Sequence, residues 1–366
     1  MISGGAGLVQ TGGILALSGD NRFEGGVTVQ SGATLLLGSS SEVDCYGCIL
    51  YGPVGTGTLK LESGSTLDLA DSCSRILHNA IDLGCGDGSV AIDTGCGDLS
   101  LYGQITGNAG IIKKGGGTLS LQSNNEFYGN FKIEGGTVNA ETDHALGYGS
   151  LEFCSAVCAT VNFNSDHPTI SGLSGTSCND LINLNGDCSP AQLTIDQDGD
   201  SAFAGVIAGD GGSVIKTGCG DLTLSGQSTF TGGFTLQEGA LLIGASSTID
   251  CSGIITSGPA GTGTLKLETG TTLGVADSGS YTLHNAIDLG CFSGTVKIDT
   301  VCGDLTLVGV ITGTAGITKA GPGTLTLEGH NQFYGDFKVQ GGTVNAETDS
   351  ALGYGTLAFC SYSVRR

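Results

Sequence analysis

The sequence predicts an all-β fold, a single parallel β-helix or β-solenoid with about 20 residues per rung. Three observations predict it. Residues 55–154 and 261–360 align without a gap at an offset of 206, and roughly 70 of those 100 positions are identical. A short element, Gly followed by Thr or Asp and then Leu-x-Leu, recurs at Gly57, Gly97 and Gly117 and again at Gly220, Gly263, Gly303 and Gly323, with spacings of 20 and 40 residues between neighbours within each half. Glycine supplies 67 of 366 residues, well above the usual ~7 %, which suits many short strands joined by turns at positive φ.

Four segments share one motif: Leu8–Leu37, Ile111–Ala140, Ser213–Gly244 and Ile317–Ala346, with Lys113, Lys216 and Lys319 spaced 103 apart. One filler covers about 38–110 and returns at 244–316, and another covers about 141–212 and restarts at 347. The order predicts one continuous solenoid over 1–366, a piece of a longer polypeptide that begins and ends inside repeats. Within each segment apolar residues alternate, as in Leu59/Leu61, Leu67/Leu69, Val90/Ile92, Leu99/Leu101, Phe131/Ile133 and Leu193/Ile195. This is the period of half-buried strands. Helical periodicity is absent, and Ala145–Gly149 is expected to form one turn. A tandem of β-sandwiches is the competing fold, but it does not account for the 20-residue rung.

Composition narrows function. The formal net charge is −22 with only 13 Lys+Arg, which disfavours phosphate backbones, so no nucleic-acid partner is expected. No apolar run reaches the ~18–20 residues of a membrane helix, and the N-terminus lacks a signal-peptide pattern.

The motif resembles the autotransporter-associated β-strand repeat of Gram-negative type V secretion. Gly316 to Val344 carries its pattern in Lys319, Gly321, Gly323, Thr324, Leu325, Leu327, Gly329, Asn331, Phe333, Gly335, Gly341 and Gly342. The filler is similar to passenger sequence in Ala145-Leu146-Gly147, in 169–175 and in Phe203–Ile207. The resemblance implies a right-handed β-helical passenger, secreted or displayed at the outer membrane. It also implies a stalk or spacer, with adhesion or self-association through its side faces, rather than an enzyme. A cell-surface or glycan ligand and end-to-end or lateral association are the expected partners. Two features depart from the family: no C-terminal β-barrel follows, and there are 14 cysteines.

Candidate chemistry is thin. Cys45/Cys251, Cys85/Cys291, Cys96/Cys302 and Cys154/Cys360 occupy matching slots, which reads either as a disulfide framework or as a small buried residue repeated with the rung. Cys178 and Cys188, flanking one loop-like stretch, are the candidate disulfide. Cys45-x-x-Cys48 lacks a second pair at zinc spacing, so no metal and no cofactor are expected. Gly84–Asp87 and Gly95–Asp98 are similar to calcium turns, but they do not run in tandem, and solvated turn aspartates are expected there. His78/His284 is one slot seen twice, and no catalytic set emerges. The enzymatic alternative is a β-helical polysaccharide lyase or glycoside hydrolase. The carboxylates recur between halves and only four arginines are present, so no catalytic residues are assigned. A distinctive adhesive loop is expected in the unrepeated stretch 155–190.

Overall fold

A computed structural model describes residues 1–154, 158–301 and 303–360. Cys302, residues 155–157 of the unrepeated stretch and residues 361–366 lie outside the described residues. Among those described there are strands, turns and bends and no helix, wound as a parallel β-solenoid of about 17 turns with about 21 residues each. Ala145–Gly149 forms a turn, closed by Ala145 N–H donating to Thr142 O at 3.1 Å and Gly147 N–H to His144 O at 3.0 Å.

The chain divides into two compact units, Met1–Ala191 and Gln192–Arg366. In the first unit, one sheet runs from Ile14–Leu17 through Thr34–Leu37, Thr66–Leu69, Ser89–Asp93, Gly110–Lys114, Phe131–Ile133 and Leu151–Phe153 to Leu173–Gly175, each strand parallel to the next. A second face begins at Arg75–Leu77 and ends at Leu181–Leu184. A third runs from Leu8–Gln10 to Glu126–Phe127. The second unit repeats the scheme. One sheet runs from Ser201–Phe203 to Leu357–Phe359. The second runs from Gln192–Asp196 to Gln332–Phe333, and the third from Ser280–Leu283 to Thr343–Ala346.

The register explains the alternation in the sequence. Leu99 faces Leu119, which faces Val138, then Val161 and then Ile182, so like residues stack in a buried column. Each aliphatic side chain buried this way contributes ~1.5–3 kcal/mol before chain entropy is charged. Outward residues also stack. The Asn183 amide donates to Asn162 Oδ1 and the Asn162 amide to Asn139 Oδ1, both at 2.8 Å, which holds three successive coils in register on the solvent face.

Among the described residues, antiparallel pairing is confined to two short ribbons that leave the coil path, Glu42–Val43 with Ile49–Tyr51 and Thr248–Ile249 with Ile255–Ser257, and to two isolated bridges beside them. The stretch expected to hold a distinctive loop forms regular coil strands instead, at Ala159–Phe163, Thr169–Ile170, Leu173–Gly175 and Leu181–Leu184. Its alternating Val161, Phe163, Ile182 and Leu184 have core to fill. The ribbons are the true excursions.

Candidate interaction surface

The repeated motif is a set of corner latches. Lys113, Lys216 and Lys319 are completely buried. Lys113 Nζ donates to Lys114 O at 2.8 Å and Gly115 O at 2.9 Å on its own corner, and to Gly135 O at 3.2 Å on the next coil. Lys319 Nζ reaches Ala320 O at 2.7 Å, Gly321 O at 2.9 Å and Gly341 O at 3.1 Å. Lys216 Nζ reaches Thr217 O and Gly218 O at 2.7 Å and Glu238 O at 3.5 Å. An ammonium carries three donors; here one shares a carbonyl that also accepts a backbone N–H from the neighbouring coil (Thr94 to Lys114 O, Gln197 to Thr217 O, Thr300 to Ala320 O), and the other two meet corner carbonyls to which the lysine is the donor. Burial pulls the Lys113 ammonium down to about 8, with the Asp93 carboxylate opposing. Burial also lowers Lys216 and Lys319, opposed chiefly by Asp221 and Asp299 respectively.

The first motif solves the same corner differently. Its corner is one residue shorter, with Gly12-Gly13 where the second has Gly115-Gly116-Gly117. The lysine slot holds Gln10, whose Nε2 donates to Gly13 O and Thr34 O at 2.9 Å. A shorter span takes a shorter side chain.

Asparagine supplies the second latch. Asn331 Oδ1 accepts Ile311 N–H at 2.8 Å from the coil before, and its Nδ2 donates to Ala351 O at 2.7 Å on the coil after. Asn125 does the same between Ile105 and Ala145. Asn331→Ala leaves a buried N–H and a buried carbonyl unpaired, so it is expected to cost about 2 kcal/mol. The checking measurement is chemical denaturation together with amide exchange at Ile311. An unchanged midpoint and unchanged exchange there contradict the latch.

The third element is a phenylalanine and a glycine. Phe23, Phe127, Phe230 and Phe333 fill the core. Over each lies a left-handed glycine of the following coil: Gly55, Gly147, Gly261 and Gly353. A Cβ on Gly353 would meet the Phe333 ring at 2.7 Å.

Among the described residues no three His, Cys, Asp or Glu side chains converge as a metal site. Of the glycine–aspartate turns, Gly95–Asp98 and its second-unit counterpart at Asp304 are cross-coil ties. Asp98 Oδ1 accepts Thr118 N–H at 3.0 Å and Asp304 Oδ1 accepts Thr324 N–H at 2.8 Å, and these backbone bonds hold both carboxyls below their usual range. The cysteines correct one expectation: all thirteen described are exposed and none is a buried core residue. They sit at corners and ribbon tips, where the coil turns outward. Cys178 and Cys188 carry free thiols in the structure. The Cys188 N–H donates to Asp166 Oδ1 at 3.1 Å, and the Asp187 and Asp166 carboxylates push its thiol up.

What the latches leave outside includes a pair of tyrosines in each unit. Tyr128 and Tyr148 stack on adjacent coils with ring centroids 5.4 Å apart, and Tyr334 and Tyr354 repeat the pair at 5.4 Å. The signal was present in the repeated Phe-Tyr-Gly and Leu-Gly-Tyr-Gly strings, but only the register brings the two rings of each pair together.

Four segments, 9–37, 111–140, 214–243 and 317–346, match the Passenger-associated-transport-repeat family. The chain carries autotransporter passenger repeats. The matched segments coincide with the latched corners, so the family pattern is the sequence record of those latches. Beyond the repeats, the chain is 28 % identical over 356 residues to "Adhesin BmaC autotransporter" of Brucella suis biovar 1 (strain 1330), a match covering 93 % of this chain. The chain spans about a tenth of that relative's length. No solved structure matches. No helix of the described residues is long and apolar enough to cross a membrane.

Proposed function

We propose that this chain is part of a passenger exposed at the cell surface or secreted, and that it serves adhesion, with its latched coils holding the adhesive face away from the cell. The observation that carries this reading is the likeness to an autotransporter adhesin along 93 % of the chain. The architecture supports it. Coils that latch to their neighbours through Lys, Asn and Gly can add one after another, each new coil docking on the last. Self-association is part of the reading, because stacked coils offer unpaired strand edges wherever a stack is open.

The test is display. The chain is placed between an export signal and a heterologous outer-membrane barrel whose own passenger has been removed. Surface exposure is verified with added protease, and attachment to epithelial monolayers and settling of the bacteria are measured. Attachment several-fold above the passenger-less barrel is expected. Full display with attachment at background contradicts the adhesive role.

A further inference from the structure

Phe292 does nothing for the coil that carries it. It is 71 % exposed on the loop that joins Ile287–Asp288 to Thr295–Asp299. At the offset of 206 the same slot holds Gly86. The two loops are nevertheless pinned alike. Asp288 Oδ1 accepts Gly290 N–H at 2.8 Å, and Thr314 N–H donates to Gly290 O at 2.8 Å. In the first unit Asp82 Oδ1 accepts Gly84 N–H at 2.7 Å, and Asn108 N–H donates to Gly84 O at 2.8 Å. The loop therefore forms without the ring. What the ring does is wall a cleft of about 370 Å³, whose lining includes Lys266, Glu268, Asp288, Cys291 and Thr314. That volume lies within the ~300–1,000 Å³ of small-ligand sites.

Charge says what completes the cleft. Lys266 lies beside Asp288 in register and pairs with Glu268 at 3.4 Å. One cation thus stands among two carboxylates, and the cleft is left negative. Each carboxylate has two acceptor oxygens. Gly290 N–H takes Oδ1 of Asp288 and Lys266 takes Oε1 of Glu268, which leaves a second oxygen of each to offer. The whole chain carries −22, so cations are drawn in from a distance. A ligand that suits this site has an apolar stem for Phe292 and a cationic end for the carboxylates. Arginine has both. Its methylenes pack against apolar surface while its weakly hydrated guanidinium pairs with carboxylates in a fork. An apolar neighbour in the same segment would cover the rest of the exposed ring.

We propose that the cleft walled by Phe292 and edged by Asp288 and Glu268 binds a segment of a partner protein that presents an arginine beside an apolar residue. This rests on the adhesive reading and names the partner class for it.

The probe is the peptide acetyl-Leu-Arg-Leu-amide, added to the purified, reduced full chain. Binding is read by isothermal titration and by the rate at which iodoacetamide alkylates Cys291, followed by peptide mass spectrometry. Cys85, in the matching slot beside Gly86, is the internal reference. Saturable binding is expected, with alkylation slowed at Cys291 and unchanged at Cys85. The citrulline analogue, of the same shape without the charge, should bind about tenfold more weakly. Phe292→Gly, which the loop around Gly86 shows the fold to accept, should lose a similar factor while its circular-dichroism melt stays with the parent. Lys266→Gln, which removes the competing cation, should tighten binding. No binding of the arginine peptide, equal binding of the citrulline peptide, equal protection of Cys85, or unchanged affinity in Phe292→Gly overturns the proposal. Displayed on cells, Phe292→Gly separates the two readings. Attachment kept at the parent level removes the arginine cleft and leaves adhesion standing, whereas attachment absent from the parent itself removes the adhesive reading.

Discussion

Lys113→Met is expected to destabilise the first unit by about 2–4 kcal/mol, because the methionine fills the volume but leaves the Gly115 and Gly135 carbonyls without a donor, while Lys114 O keeps the Thr94 N–H at 3.1 Å. The geometry makes this a lost latch rather than a lost charge. The ammonium joins Lys114 and Gly115 to Gly135 on the neighbouring coil. The loss should appear as a lower melting temperature and as faster amide exchange at the corner. Lys216→Met and Lys319→Met, which remove the same latch in the second unit, should behave alike. The pH dependence has a definite sign. Burial holds the folded-state Lys113 near 8, whereas an unfolded lysine titrates near ~10.4. Between those values the unfolded chain binds a proton that the folded chain has released, so stability rises with pH. The margin of the parent over Lys113→Met should therefore widen from pH 8 to pH 10.5, and a margin that is flat or narrows contradicts the assignment. An unchanged melt for the variant at neutral pH contradicts the latch itself.

Gly117→Ala is expected to cost about 3 kcal/mol or more, while Gly116→Ala, one residue away, stays within ~0.5 kcal/mol of the parent. A Cβ on Gly117 would sit 1.7 Å from Gly97 O, and both the Gly97 carbonyl carbon and nitrogen also lie close, so the coils would have to separate. A Cβ on Gly116 meets nothing nearer than 3.8 Å. The equivalent slot in the fourth motif already holds Pro322, whereas Gly323 beside it would press on Gly303 O at 1.8 Å. Denaturation midpoints of the two alanine variants decide the matter. Equal midpoints would mean that the coils are not in contact at this corner.

Much of this fold was legible. Alternation in Leu99-Ser-Leu101 and Thr118-Leu-Ser-Leu121 fixed strands and facing, because a side chain in a strand has only two sides to choose between. The recurrence of Gly-Thr-Leu-x-Leu gave the coil length, and the resemblance to passenger repeats picked out Lys319, Asn331 and Phe333. Their roles were not legible. A lysine in a polar, glycine-rich string looks like a surface residue, yet Lys319 is completely buried. Its partners are backbone carbonyls, which have no letter in a sequence. The cysteines misled in the opposite sense, since an apolar preference says nothing about the outside of a corner.

Composition and period alone determined that the chain is all β and that it winds in coils near 20 residues. These follow from local chemistry: side-chain alternation and turn glycines. Only the tertiary structure decided which face each strand joins. The lysine strand of the first unit, Gly110–Lys114, lies in a different sheet from its counterpart Leu8–Gln10, so one motif serves two faces. The structure also decided that Tyr128 meets Tyr148, 20 residues on. Such neighbours are set by how many residues each turn of the coil consumes, and inserted residues such as the ribbon at Glu42–Tyr51 change that count without changing the strands on either side.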